Sequence, residues 1–215
     1  MAFEAVIFDM DGLLFDTESL GIKACIYAGQ QQGLDVSEEV VLTTLGTTEA
    51  KSDSIYLAHY PGYQAKQFWQ DFSDWMVAYV EENAVGVMPY AREMVIATRN
   101  KGIKTAICSG SPMSRVELYL EKTNMQGLFD AYVTQDDGAR SKPEPDMFLL
   151  TAEKLNVSPD KCLVLEDSPN GLRAAHAAGM QAYMVPDQIP FKDEYAPFTA
   201  GVLKDLSQAL PLLDK

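Results

Sequence analysis

From residue 86 onward short apolar runs alternate with helical stretches, and no other feature of the chain constrains its fold as strongly. The runs Lys104–Cys108, Ala131–Thr134, Cys162–Leu165 and Ala182–Val185 have the length and residue types of buried strands. Between them, helical patterns cover Ala91–Lys101, a segment opening at Ser111-Pro112, Pro145–Leu155 and Pro169–Ala178, with Gly102 and Gly179 as stops. Such alternation predicts a mostly parallel sheet with helices on both faces. A further strand, Ala5–Phe8, comes first, and the stretch from Thr17 to Asn83 that follows it is helical in pattern throughout. It holds Ile22–Gln32, a Ser37-Glu38-Glu39 start leading into Val40–Leu45, and an aromatic helix from Tyr63 to Val80. In that last helix Phe68, Phe72, Trp75, Val77 and Tyr79 fall on one face, a pattern of core packing more than of ligand contact. The expected fold class is therefore α/β. A doubly wound, mostly parallel Rossmann-type core is formed by residues 1–15 and 86–215, with residues 16–85 inserted as an all-helical cap domain.

Bulk composition removes several function classes. The 215 residues suffice for one sizeable core plus a small accessory domain. Seventeen Lys and Arg against 31 Asp and Glu give a formal charge of −14, and the basic residues are scattered. Nucleic acid, whose backbone calls for clustered cations, is therefore not an expected partner. No window approaches the roughly 18 consecutive apolar residues of a membrane span. The N-terminus runs directly into a strand with no secretory pattern, so a cytoplasmic location is expected. Cys25, Cys108 and Cys162 lack C-x-x-C spacing, lie in apolar settings and read as small buried hydrophobes. His59 and His176 carry no catalytic pattern, and Arg140 is open to a substrate or a solvent role.

Four short segments end or follow the apolar runs: Phe8-Asp9-Met10-Asp11-Gly12, Ile107-Cys108-Ser109-Gly110-Ser111, Lys142-Pro143 and Leu165-Glu166-Asp167-Ser168. In open α/β sheets ligand sites lie outside the carboxyl ends of the strands, and these segments all fall there. Buried carboxylates require a partner that offsets their desolvation, and a cation is the usual one. Ser109 and Gly110, ahead of a helix start, offer a hydroxyl and backbone amides to a phosphate, with Ser111 read as the helix cap. Lys142, stiffened by the Lys-Pro-Glu-Pro run, can set an ammonium beside Asp9. Ser168, or Asp167, is a candidate N-cap ahead of Pro169.

This order of motifs resembles the haloacid dehalogenase superfamily, and the stretch Glu166-Asp167-Ser168-Pro169-Asn170-Gly171 resembles its β-phosphoglucomutase-like branch. The resemblance implies the same fold, with a cap inserted after the first motif. It assigns Asp9 as a nucleophile forming an aspartyl-phosphate and Asp11 as general acid and base. It places Mg²⁺ on Asp9, the backbone carbonyl of Asp11, Asp167 and Glu166, and phosphate on Ser109, Gly110 and Lys142. The second aspartate disfavours carbon–halogen cleavage, since dehalogenases of the superfamily lack it. A Mg²⁺-dependent phosphatase acting as a monomer on a small phosphorylated metabolite, such as a sugar phosphate, is the expected function. A phosphosugar mutase is the alternative. The mutase pattern has a His where Gly21 stands, an Arg where Glu49 stands, and Lys-Asn where Pro112-Met113 stand. Phosphatases of the branch share the Asp16-Thr17-Glu18 sequence, and selectivity is expected from Asp16, Thr17, Glu18, Gly46, Thr47 and Glu49.

Overall fold

The computed structural model describes residues 3–214. Among them, five parallel strands form one sheet: β1 (Ala5–Phe8), β4 (Lys104–Cys108), β5 (Ala131–Val133), β6 (Cys162–Glu166) and β7 (Gln181–Met184), in the order β5-β4-β1-β6-β7. Side chains alternate across a strand, so each strand feeds two cores. Val6, Phe8, Ile107, Leu163 and Leu165 point to one face, where α5 (Ala91–Asn100) and α6 (Met113–Lys122) cover them. Ala5, Ile7, Cys108, Cys162 and Val164 point to the other, under α7 (Asp146–Leu155) and α8 (Pro169–Ala177). Every residue of β1 is fully buried, as its unbroken apolar run predicts for a central parallel strand.

Register brings the motifs together. Phe8 pairs with Ile107 on one side and Leu165 on the other. The residues that follow, Asp9, Ser109 and the Glu166-Asp167 pair, thus emerge side by side at one sheet edge. The ladder runs one residue past each strand, with the Asp9 amide donating to the Leu165 carbonyl at 3.1 Å and the Ser109 amide to that of Val133 at 3.0 Å. β1 ends where its apolar run predicts. It stops at Phe8, and the chain turns through Gly12 at φ +77°, where an added Cβ would meet Asp167 Oδ2 at 2.6 Å.

A two-stranded antiparallel ribbon, β2 (Phe15–Asp16) with β3 (Gly86–Val87), carries the chain out of the sheet and back. Between its strands lie α1 (Glu18–Gln31), α2 (Glu38–Leu42), α3 (Glu49–His59) and α4 (Ala65–Asn83). These helices enclose a cluster of their own, in which Tyr56 and Phe68 are fully buried with ring centroids 4.8 Å apart. Ser37 caps α2 as expected, accepting from the Val40 amide. The buried face of α4 follows Phe68, Phe72, Met76 and Val80, a strict four-residue step, so Val77 is exposed instead of packed. Past β7, residues 200–203 run beside that strand, and Leu206, Leu212 and Leu213 close the core over α5. No helix among the described residues is long and apolar enough to cross a membrane.

Candidate active site

Lys142 organises the sheet edge. Its three ammonium protons go to Asp9 Oδ1 at 2.5 Å, Glu166 Oε1 at 2.6 Å and the Cys108 carbonyl at 3.0 Å, while the Phe148 ring lies 4.9 Å away. Burial disfavours the ammonium, but the flanking carboxylates outweigh it and hold Lys142 well above its ordinary value. Glu166 is wholly buried, and its second oxygen accepts from the amide and hydroxyl of Ser168 at 2.8 and 2.9 Å. Ser168, rather than Asp167, is the N-cap of α8, accepting from the Gly171 amide at 3.1 Å with Pro169 behind it. A Cβ at Gly171 would lie 1.7 Å from Glu166 Oε1, which is why glycine stands there.

The charge balance is uneven. Asp9, Glu166 and Asp167 are buried beside half-buried Asp11, with one ammonium among the four. Burial pushes the Asp9 carboxyl up to about 8, with Glu166 and Asp11 adding to the shift and Lys142 opposing it. Burial likewise holds Asp167 well above the usual carboxylate range, reinforced by Glu166 and Asp9. Such an oxygen-rich, electron-rich pocket suits a hard divalent cation, which would restore the charged forms. Asp9 and Asp167 have the donor chemistry for it. Among the described residues no three His, Cys, Asp or Glu side chains converge on one point, and Lys142 holds the place between Asp9 and Glu166. A cation at Glu166 would therefore share an oxygen already hydrogen-bonded to Lys142 or Ser168.

Asp11 faces the other way. Thr17 Oγ1 and Ser111 Oγ each donate to its carboxylate at 2.8 Å, and Ser109 Oγ approaches at 3.4 Å. Ser111 is thus not the helix cap the sequence suggested: α6 starts after Pro112 without a side-chain cap, and the hydroxyl serves Asp11. Ser109 is buried and accepts from the Ser111 amide at 3.0 Å, while Gly110 keeps open space around it. Arg140 is exposed and paired with Asp146 and Glu144, and His176 stacks edge-on against Phe198, so both stand apart from the site.

A cavity of about 450 Å³ lies between the helical segment and the sheet edge. Asp11, Gly110, Ser111 and Arg115 wall it from one side, and Thr17, Glu18, Gly21, Gly46, Thr47, Glu49, Trp69, Phe72 and Ser73 from the other. Asp9, Lys142, Glu166 and Asp167 are not among its walls, so Asp11 is the carboxylate shared by cluster and cavity. Of the residues expected to give selectivity, Asp16 alone is outside: it is exposed on the ribbon, where its pairing with Gly86 turns it to solvent. Burial, with Asp11 and Asp187 nearby, pushes Glu18 up to about 7. Gly46, at φ +65°, stands where an added Cβ would meet Ile189 Cδ1 at 2.5 Å, and its carbonyl accepts from Asn170 Nδ2 at 2.8 Å, tying the helical segment to α8. Arg115, Ser73 and Trp69 were not legible as wall residues in the sequence. Trp69 and Phe72 belong to the aromatic helix, which serves both as core and as cavity wall.

Comparison with known proteins agrees with the fold. The haloacid dehalogenase-like hydrolase family pattern matches residues 6–185. Hexitol phosphatase B of Escherichia coli is 34% identical over 185 residues, covering 85% of this chain and 83% of the relative. Suppressor of Quenching 1, a chloroplastic protein of Arabidopsis thaliana, is 33% identical over 189 residues; the match covers 84% of this chain and 18% of that protein. The crystal structure of CbbY from Rhodobacter sphaeroides in complex with phosphate superposes with a TM-score of 0.85 at 26% identity, covering 99% of this chain and all of that one.

Proposed function

The chain belongs to the haloacid dehalogenase-like hydrolase family, and from that premise we propose that this phosphatase releases phosphate from a small phosphorylated sugar through an aspartyl-phosphate. The observation that carries the reading is the pairing of Asp9, hydrogen-bonded to Lys142, with Asp11, held by hydroxyls at the cavity wall. Asp9 attacks phosphorus and the bond to the sugar oxygen breaks. Asp11 gives its proton to that oxygen, then removes one from the water that attacks the phosphoryl group, releasing inorganic phosphate and regenerating Asp9. Thr17 and Ser111 orient Asp11 for both transfers. Lys142 and Ser109 offset charge on the phosphoryl oxygens, and Gly110 lets them approach closely. Asp9, Asp167 and the Asp11 carbonyl would hold Mg²⁺, which would supply charge neutralisation to the phosphoryl group. Residues 16–85 serve as a cap domain that closes over the substrate and excludes bulk water.

Hydrolysis is favoured over a mutase reaction by the cavity walls. Gly21 brings no side chain and Glu49 brings a negative charge, where a second phosphate would have to be gripped through the reaction. Phosphate release with Mg²⁺ from a panel of hexose, hexitol and pentose phosphates tests the reading, with Asp9→Asn as control. Release that disappears in the control supports it. Equal release in the control, or isomerisation of β-glucose 1-phosphate with a bisphosphate primer and no release, overturns it.

A further inference from the structure

A second hollow lies on the far side of the loop that walls the substrate cavity. Leu45, Gly46 and Thr47 line both spaces, so this one loop is the partition between them. The outer hollow has a volume of about 790 Å³, within the range of small-molecule sites. Its other walls come from the start of α3, from α8 and from residues 188–195 after β7. Lys51, Arg173 and Lys192 bring positive charge to it, against Glu194 alone. In a chain of net charge −14, none of these three forms an ion pair among the described residues. Arg173 differs from the other arginines. Arg92, Arg99, Arg115 and Arg140 each donate to a protein oxygen, whereas Arg173 donates to none among the described residues. Its guanidinium carbon lies 6.0 Å from the Tyr195 ring and 5.5 Å from the Phe198 ring. The rings hold the guanidinium in place and leave its N–H donors without an acceptor.

We propose that this outer hollow binds a small polyanion of the diphosphate kind, as an effector separate from the substrate. Three cations from three segments line one hollow, and the fork of Arg173 suits bidentate grip on phosphoryl oxygens. Such an arrangement favours a compact polyanion over an extended acidic peptide, whose charges are spread along its length. Leu45, Pro143, Ile189 and Pro190 give the hollow apolar walls for the rest of the molecule. Asp9 and Asp11 are not among its walls, so the ligand is held and not turned over. Lys51 belongs to the helical segment, and Arg173 and Lys192 to the sheet domain. The anion therefore bridges the two halves beside the hydrogen bond from Asn170 to the Gly46 carbonyl. It favours the arrangement in which residues 45–47 lie against α8 and wall the substrate cavity. A ligand that binds one arrangement better shifts the population toward it, so occupancy lowers KM with kcat little changed. The effect on KM rests on the phosphatase reading above; the binding does not.

Calorimetric titration of the metal-free protein with inorganic pyrophosphate tests the site. Without a cation the acidic cluster around Asp9 disfavours anions, which leaves the outer hollow as the place to bind. One site per chain is expected, with Kd of roughly 0.1 mM or tighter. Arg173→Gln should weaken it about tenfold or more. Lys51→Gln combined with Lys192→Gln should do the same, and both lysines are exposed, which guards against a loss of fold. No saturable binding, or binding indifferent to these changes, would overturn the proposal. A loss in Arg115→Met alone would place the anion in the substrate cavity and overturn it too. Tighter binding of a poly-glutamate peptide than of pyrophosphate would replace the small ligand with an acidic protein partner. With Mg²⁺ in excess and sorbitol 6-phosphate as substrate, pyrophosphate should lower KM about fivefold or more. The paired lysine variant should lose that response while its basal kcat/KM stays within about twofold of wild type. Plain competitive inhibition, equal in wild type and variant, would remove the effector role. A protein that releases no phosphate from any compound fails the phosphatase reading, while the hollow is still judged by binding.

Discussion

The sheet edge and the cavity wall handle polar groups in opposite ways. At the sheet edge every donor is spoken for: Lys142 gives all three protons to the protein, and Glu166 fills both oxygens with Lys142 and Ser168. Across the cavity, Arg115 reaches hydroxyls only at their limit, and Glu18 and Glu49 form no ion pair among the described residues. A fully bonded cluster is rigid and preorganised for one reaction. An under-bonded wall is free to choose its ligand. In the proposed reading that difference separates chemistry, set by strand register, from selectivity, set by the packing of α4 against α6.

The predictions test that separation. Asp9→Asn should reduce phosphate release by roughly 10⁴-fold or more on every substrate, with the fold retained by circular dichroism. A residual rate near wild type would remove Asp9 from the nucleophile's role. Asp11→Asn should slow release by about 10²- to 10⁴-fold, affecting both formation and breakdown of the phosphorylated enzyme in rapid-quench experiments. A defect confined to one step would split the acid and base roles.

Gly171→Ala should disturb the cluster without touching the cavity. Its methyl group would collide with Glu166 Oε1, and the cost is expected to be about 1–3 kcal/mol of stability in denaturant titration. A neutral effect would mean the cluster is less rigid than its hydrogen bonds imply.

The pH dependence of metal-free stability follows from the raised carboxyls, Asp9 and Asp167 in the cluster and Glu18 at the cavity wall, all acting in the same direction. Asp9 titrates near 8 in the folded protein and near 4 unfolded, so the folded state binds more protons between these values. Stability should be fullest below about pH 4 for this group and fall as pH rises toward about 8, with Asp167 acting in the same direction. Mg²⁺ should flatten that slope. Denaturant titrations from pH 5 to 9, with Mg²⁺ and with chelator, check it; parallel curves would argue against a cation at the cluster. The smallest effect belongs to the wall: Ser73→Ala should change substrate ranking by about tenfold or less while leaving the Mg²⁺ requirement untouched.

Much of the sheet edge was legible in the chain. Apolar runs locate the strands, and Gly12, Pro169 and Ser168 mark the turn and the helix start that flank the acidic residues. These are local signals, written in residues a few positions apart. Ser111 read as a cap because a serine before a proline at a helix start has that appearance, yet its hydroxyl goes to Asp11, 100 residues away. Asp16 was expected to give selectivity because the resembling phosphatases share Asp16-Thr17-Glu18, but the ribbon turns it to solvent. Val77 read as buried because its spacing was near helical, while a strict four-residue step excludes it.

By itself, then, the sequence determined the alternating sheet, the central strand and the order of the four motifs at its edge, since burial periodicity and backbone stops act over a few residues. Only the tertiary structure decided that Lys142 joins Asp9 to Glu166 and that Arg115, at the cavity wall, meets hydroxyls and no carboxylate among the described residues. Both depend on which side chains meet when distant helices pack, and that is governed by shape and desolvation across the whole chain, not by any local pattern.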